Sequence, residues 1–557
     1  MVGPDRHLRY RPTQEFALPD RTWPDKPLTV APRWLSTDLR DGNQALAAPM
    51  DPVRKLLLFK QLVAMGYKEI EVGFPASGRD EYDFVRGLIE QELIPADVRI
   101  SVLVQARDEL IRRTVECLRG APAATVHLYN ATAPRFRDLV FHATRADVKA
   151  LAVDGTRLVM KYADQLLDGC DFGYQYSPEL FNETEPDFAL EVCEAVLDEW
   201  WPGPGRDIIL NFPATVERTL PIAFADRIEW LDRNLSRREF VCLSVHPHND
   251  RGTAVAAAEF AVLAGAQRVE GCLFGGGERA GNVCLVTLGL NLYTRGVDPR
   301  IDFSDLPGAQ RVVEFCTGTT VPDRHPYGGA LVYTAFSGSH QDAIKKGFED
   351  LQLRADGAGS TASELPWDMP YLPLDPRDVG RDYTAVVRIT SQSGKGGVGY
   401  VLSSHHGLNP PRELCIEFAA AVQAVADESG AELSSGRVGE LFTDRYLAPG
   451  RRETPRVPTG SRPIPVSLYL EGVDLREGWP TGLGARLDAL GFEVCEKQHI
   501  TAPGPQSSGP VAYAAVPSPS GPVWGAGTGA DPSSAAEAAV RSAAVRAELR
   551  STEEEHR

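Results

Sequence analysis

Two short motifs carry most of the chemistry open to this chain. The first, STDLRDGNQ at residues 36–44, sets Arg40 beside Asp41, a guanidinium able to hold an oxyanion next to a carboxylate able to bind a metal ion. Alone, such a pair is more often a loop salt bridge. The second, HPHND at residues 246–250, changes that weighting: residues i and i+2 of a strand face the same way, so His246 and His248 can offer two imidazoles to one ion. With Asp41 they make a His2Asp site, whose nitrogen and oxygen donors without thiolate suit Mg, Mn, Co or Zn. GGGERAGN at residues 275–282 offers backbone N–H groups around Gly275, Gly277 and Glu278 for a phosphate or oxyanion of a cofactor, and Asn282 can add an oxygen to the metal region. A glycine run by itself serves tight packing equally well. YSPELF (176–181) contributes Glu179, to orient a substrate or a water, and NFPATVE (211–217) contributes Thr215, a donor to a substrate carboxylate or a helix cap. SGSHQDAIKKG places His340 in a glycine-serine loop, a setting for a mobile acid-base group.

These motifs need a scaffold that gathers them. From Arg33 onward, short β-branched runs alternate with amphipathic helical segments: RWLST (33–37), KEIEVGF (68–74), RISVLV (99–104), ATVHLY (124–129), DFGYQYS (171–177), DIILNF (207–212), FVCLSV (240–245) and RVEGCLF (268–274). Parallel strands joined by crossover helices follow, and this many units in about 270 residues predict a (β/α)8 TIM barrel of the α/β class. A doubly wound sheet would want a glycine-rich phosphate loop after an early strand, and none follows the first three. The polar motifs lie just after the first, fifth, sixth, seventh and eighth strands, at the rim where a barrel builds its site.

Composition removes several function classes. Lys plus Arg number 58 against 76 acidic residues, a net charge of −18, which disfavours nucleic acid and anionic membrane surfaces as partners. The nine cysteines are scattered without a C-x-x-C pair, as in a reduced, cytoplasmic chain. No run of 18 apolar residues occurs, and the start lacks the apolar core of a signal peptide, so a soluble, unexported protein is expected. Beyond residue 300 the alternation decays into smaller mixed accessory segments. Pro, Gly and Arg dominate 447–463, as in an exposed linker, and strand and helix patterns after it predict a small α+β module.

With these residues assembled, the chain resembles the alpha-isopropylmalate synthase family, metal-dependent TIM-barrel acyltransferases that condense acetyl-CoA with a 2-oxo acid. Beyond the motifs above, EIEVGFPA, LNLYTRGVDP, HPYGGALVYTAFSGSHQDAIKKG, PYLPLDPRDVGR and SQSGKGGVGYVL carry the likeness over about 400 residues. The resemblance implies a divalent metal (Mg, Mn or Zn) on Asp41, His246 and His248 with Asn282 in or near its shell, Arg40 and Glu179 at the reacting centre, Thr215 on the 2-oxo acid carboxylate, and His127 and Ser177 in the substrate pocket. It implies acetyl-CoA as co-substrate, a monovalent cation as activator, and a homodimer in which His340 and Tyr371 reach the neighbouring subunit's site, His340 as acid-base group. The implied organisation is an N-terminal extension (1–30), the barrel (31–300), accessory subdomains and linker carrying His340 and Tyr371 (301–446), a linker (447–463) and a leucine-regulatory-like domain (464–557).

The implied reaction is 2-isopropylmalate formation from 2-oxoisovalerate and acetyl-CoA; alternatives are another 2-alkylmalate, citramalate or homocitrate made on the same site, and a non-catalytic sensor. Two departures bear on this. Gly276 and Ala280 stand where the family usually has Asn and Thr, and CEKQHITAPGPQSSGPVAYAAV replaces the usual stretch of the last domain, which predicts weak leucine feedback or none.

Overall fold

The computed structural model describes residues 15–335, 337–383, 395–429, 433–447, 463–471, 480–500, 510–518 and 521–554. The predicted linker lies largely outside these residues, as do the first part of the N-terminal extension, the start of SQSGKGGVGYVL and residues 501–509 of the altered C-terminal stretch.

Eight parallel strands close into a barrel in chain order: β1 (Arg33–Ser36), β2 (Glu69–Gly73), β3 (Arg99–Gln105), β4 (Ala123–Ala131), β5 (Asp171–Glu179), β6 (Ile208–Ala214), β7 (Val241–Pro247) and β8 (Arg268–Gly271). Closure runs through β1 and β8, with Trp34 opposite Val269 and Ser36 opposite Gly271. The helices that cross between strands start where the sequence provides caps. Asp51 accepts the Arg54 N–H at 2.9 Å ahead of Pro52–Ala64, and Thr144 and Asp147 form a reciprocal capping box ahead of Arg145–Leu166. Their apolar faces, Leu58, Phe59 and Leu62 or Val148, Ala152 and Val159, are buried, so the strands between them read as nearly continuous apolar runs outside and carry polar residues inside. β8 is shorter than RVEGCLF predicts. After Gly271 the returning chain takes over its hydrogen bonds, Cys272 N–H to Val283 O at 3.2 Å and Leu285 N–H to Cys272 O at 3.0 Å, and Phe274 turns out at φ +55°.

One compact unit comprises the described residues up to 332 together with 376–382; the remaining residues form a second. In that second unit the accessory segment, read from sequence as mixed α/β, is helical among its described residues, in Gly338–Ala358, Lys395–His406, Arg412–Ser429 and Ser435–Phe442, because its apolar residues recur at helical spacing, as in Leu414, Phe418 and Val422. The C-terminal module is a four-stranded sheet ordered β10 (Phe492–Ile500), β9 (Ile464–Glu471), β11 (Val511–Val516), β12 (Val523–Thr528). One face packs on Leu483–Asp488 and Pro532–Glu554. The other, through Tyr469, Val511, Tyr513 and Trp524, shares a core with Phe418, Phe442 and Tyr446 of the helical segment, so the two halves of this unit are not separate cores. Among the described residues no helix is long and apolar enough to cross a membrane.

Candidate metal centre and active site

The turn after β1 folds the chain back over the barrel mouth. Thr37 donates its N–H to Gly271 O at 2.8 Å, and the Arg40 and Gly42 N–H groups both reach Thr37 O at 3.1 Å, which leaves Asp41 buried at the mouth. Two strands round the barrel from β1, β7 presents His246, and its ladder continues past Pro247 through His248 N–H to Ala214 O at 3.3 Å, so alternation aims both imidazoles inward. His246 Nε2 lies 3.1 Å and His248 Nε2 3.4 Å from the same oxygen, Asp41 Oδ2, and one donor atom from each of the three side chains falls within 4.8 Å of the others. Asn282 sits across a β-bridge from His248; its Nδ2 donates to Gly276 O at 3.0 Å, while its Oδ1 is buried without a hydrogen-bond partner. Two imidazoles and a carboxylate facing one point, with an orphaned amide oxygen on the residue bridged to His248, suit a divalent ion, so the residues fit the metal that the motifs imply.

A second polar chain runs from Arg40 across the mouth. Its Nη1 pairs with Asp41 Oδ1 at 3.0 Å, and its Nε donates to Glu71 Oε2 at 2.6 Å. Glu71 Oε1 takes the His127 Nδ1 hydrogen at 2.7 Å, which leaves His127 Nε2 to accept from Ser177 Oγ at 2.7 Å, and Ser177 Oγ accepts from Asn211 Nδ2 at 2.9 Å. Asn211 Oδ1 is buried and unpartnered. Thr215 Oγ1 accepts the Leu180 N–H at 2.9 Å, so its own hydrogen is free to donate. Arg40, Asp41, His127, Ser177, Glu179, Asn211, Thr215, His246, His248, Glu278 and Arg279, with Gln44, Leu103, Tyr129 and Pro213, line one cavity of about 300 Å³.

The electrostatics follow from this packing. Burial alone would raise Asp41, but Arg40 and the two imidazoles hold it well below the usual carboxylate range. Burial would depress His246, yet the Asp41 and Glu270 carboxylates on either side push it up to about 9. His248 goes the other way, depressed by burial and by the charges of His246 and Arg279. Glu179 is raised by burial, with Arg40 opposing.

His340 and Tyr371 belong to the second compact unit, where their rings stack at 3.9 Å. Other sequence expectations change. His340 is in the first turn of Gly338–Ala358 rather than in a loop, because Gln341 N–H closes that turn on Ser337 O at 3.0 Å. The glycine run forms a turn ahead of the helix that begins at Leu285 behind Cys284, and its N–H groups are not all open to an anion, since those of Gly281 and Asn282 are already bound to Glu278 O and Gly276 O. Gly277, at φ +135°, instead makes room for Asn282, whose Nδ2 would lie 2.2 Å from a Cβ there, and Gly275 takes φ +78° in the same turn. Only Glu278 of the three candidate cofactor residues lines the cavity. Gly276 and Ala280 are exposed and do not line it. Sequence reasoning missed Glu71, Glu270, Asn211 and Arg279. Acidic residues inside β-branched runs, in KEIEVGF and RVEGCLF, were the available signal, since a charge on a fully buried strand needs a partner.

Comparison with known proteins agrees with the fold. The HMGL-like family matches residues 31–313, and the family described as alpha-isopropylmalate synthase, post-catalytic domain-like, matches residues 330–403. A 2-isopropylmalate synthase of Streptosporangium roseum is 61% identical over 97% of this chain and 95% of its own, and one of Thermobifida fusca is 57% identical over 97% of each. A 2-isopropylmalate synthase of Cupriavidus taiwanensis is 58% identical over 80% of this chain and 76% of its own. Barrel and full-length likeness converge, and the chain belongs to the 2-isopropylmalate synthase family, on an HMGL-like barrel.

Proposed function

We propose that the chain condenses acetyl-CoA with 2-oxoisovalerate and hydrolyses the resulting thioester, releasing 2-isopropylmalate and CoA in the cytoplasm. The observation that carries the reading is the shared mouth of one cavity, where Asp41, His246 and His248 face one point and Arg40 lies 3.0 Å from Asp41. Asp41, His246, His248 and Asn282 would hold a divalent ion, Mg, Mn or Zn, which when bound acts as a Lewis acid on the 2-oxo group.

The rest is done by the chain's own side chains. Thr215, with its hydroxyl hydrogen free, donates to the substrate carboxylate. His127, Ser177 and Asn211 form the wall for the alkyl group, their polar atoms largely satisfied by one another. When the acetyl methyl carbon, deprotonated, attacks the ketone, negative charge grows on the former carbonyl oxygen, and the fixed Arg40 guanidinium stabilises it without reorganising. Glu179, raised by burial, is suited to hold and pass a proton during thioester hydrolysis. The methyl proton needs a base, and His340 is assigned that role, with Tyr371 stacked on it and 61% exposed. On this reading the chain works as a homodimer, His340 and Tyr371 of one subunit completing the cavity of the other, with a monovalent cation as activator.

The test incubates the full chain with acetyl-CoA, Mg, Mn or Zn ion and a panel of 2-oxo acids, and follows CoA thiol release with and without chelator. Metal-dependent release with 2-oxoisovalerate is expected. Preference for pyruvate or 2-oxoglutarate would move the assignment to a citramalate or homocitrate synthase, and no release from folded, metal-loaded protein would end the catalytic reading.

A further inference from the structure

Behind His246 the barrel interior holds a column of alternating charge that the reaction does not directly use. Glu270, fully buried on β8, sets Oε2 2.9 Å from His246 Nδ1. Its other oxygen is held from three strands, by Gln175 Nε2 at 2.6 Å, Arg268 Nη1 at 3.0 Å and Ser244 Oγ at 3.3 Å. Arg268 is itself anchored on its far side, its Nε 2.9 Å from Glu69 Oε2, and Glu69 meets Arg33 at 2.7 Å near the opposite end of the barrel. A buried carboxylate is costly unless it is paired, and Glu270 is paired on one oxygen so that the other is left to accept from the imidazole.

We propose that Glu270 is a positioning residue of the metal centre: by taking the Nδ1 hydrogen of His246 it fixes the ring's orientation and tautomer, so that the Nε2 lone pair points at the ion shared with Asp41. The inference rests on the metal-centre reading. A carboxylate behind a ligating histidine typically changes metal affinity by 10–100-fold. Gln175, Ser244 and Arg268 act one step further back, holding Glu270 in place.

A role confined to barrel stability would make a different prediction, because Glu69 also pairs with Arg268, at 2.9 Å, without touching His246. The experiment measures the affinity of the metal-free full chain for Mn ion by calorimetry, without turnover, for the wild type, Glu270→Gln and Glu69→Gln. Glu270→Gln is expected to weaken binding by 10–100-fold, with catalytic activity recovered at saturating metal, and Glu69→Gln to change it by less than about threefold while lowering the melting temperature. Equal affinities for wild type and folded Glu270→Gln, or equal weakening by Glu69→Gln, would overturn the proposal. Should Glu270→Gln not fold, Gln175→Met, which removes one of the donors on Glu270 and keeps both charges, must weaken binding in the same direction; unchanged binding would again overturn it. A wild-type chain that binds no ion would remove the metal-centre reading and this inference together.

Discussion

Arg40 and Glu71 meet through a single 2.6 Å hydrogen bond from Nε to a carboxylate that is fully buried, and that same carboxylate holds His127 at 2.7 Å. Glu71 thus fixes both the cation that faces Asp41 and the imidazole that lines the same cavity. Arg40→Lys keeps the charge but loses the fork that reaches Asp41 and Glu71 together. Removing a preorganised oxyanion donor costs about 10²–10³ in kcat, so Arg40→Lys is expected to lower kcat by that factor with a smaller change in KM. Glu71→Gln is expected to fall in the same direction. Steady-state kinetics on folded variants check both, and a Glu71→Gln protein with wild-type kcat would contradict the clamp.

Metal affinity should rise with pH. In the metal-free chain burial lowers His246, but Asp41 and Glu270 outweigh it and raise the group from 6.5 to about 9. A raised histidine contributes stability that is full below 6.5 and lost as pH rises through about 9, so the proton is bound most firmly in the folded, metal-free state. An ion must displace that proton from Nε2. The apparent dissociation constant for Mn ion is therefore expected to fall about tenfold per pH unit up to about 9 and then level off. Calorimetry across that range measures it; a flat response between pH 7 and 9 would be inconsistent.

Arg279 is placed to compete with a metal ion for His248. Its Nη2 lies 2.8 Å from His248 Nδ1, so the guanidinium donates there and the imidazole hydrogen sits on Nε2, the atom that faces Asp41. An ion on Nε2 requires the hydrogen to move to Nδ1, against the guanidinium. Arg279→Gln is expected to tighten metal binding roughly threefold to tenfold, the scale of one hydrogen bond. A weaker or unchanged affinity in chelator competition would count against this competition.

Gly276→Asn and Ala280→Thr, which restore the family's usual residues, should change kcat and KM by less than about threefold. Both positions are exposed at the rim, and a Cβ at Gly276 would meet nothing closer than Cys272 Cβ at 4.0 Å. Surface substitutions away from partners usually stay within about 0.5 kcal/mol. A tenfold gain in activity from either would show that the missing side chains matter to catalysis.

Leucine is expected to inhibit weakly or not at all, because the C-terminal stretch CEKQHITAPGPQSSGPVAYAAV departs from the family pattern. Titrating leucine into the thiol-release assay tests this, and half-inhibition in the micromolar range would refute it.

By itself the sequence determined the barrel and most of its rim. Strand and helix periods are local, His246 and His248 declare a common direction through their spacing of two, and Arg40 and Asp41 are joined as neighbours in the chain, so those residues were legible from a single chain. The partners that make them work were not, because each comes from a distant strand: Glu71 reaches Arg40 across 31 positions and Glu270 reaches Gln175 across 95. Only closure of the barrel brings these side chains inward to one axis, and only there does burial force each charge to find a partner. The glycine run shows the converse. Its composition suggested a cofactor cradle, yet the fold uses Gly277 to admit the amide of Asn282, since whether a glycine's missing side chain leaves room for a ligand or for a neighbouring residue depends on what the tertiary structure packs against it.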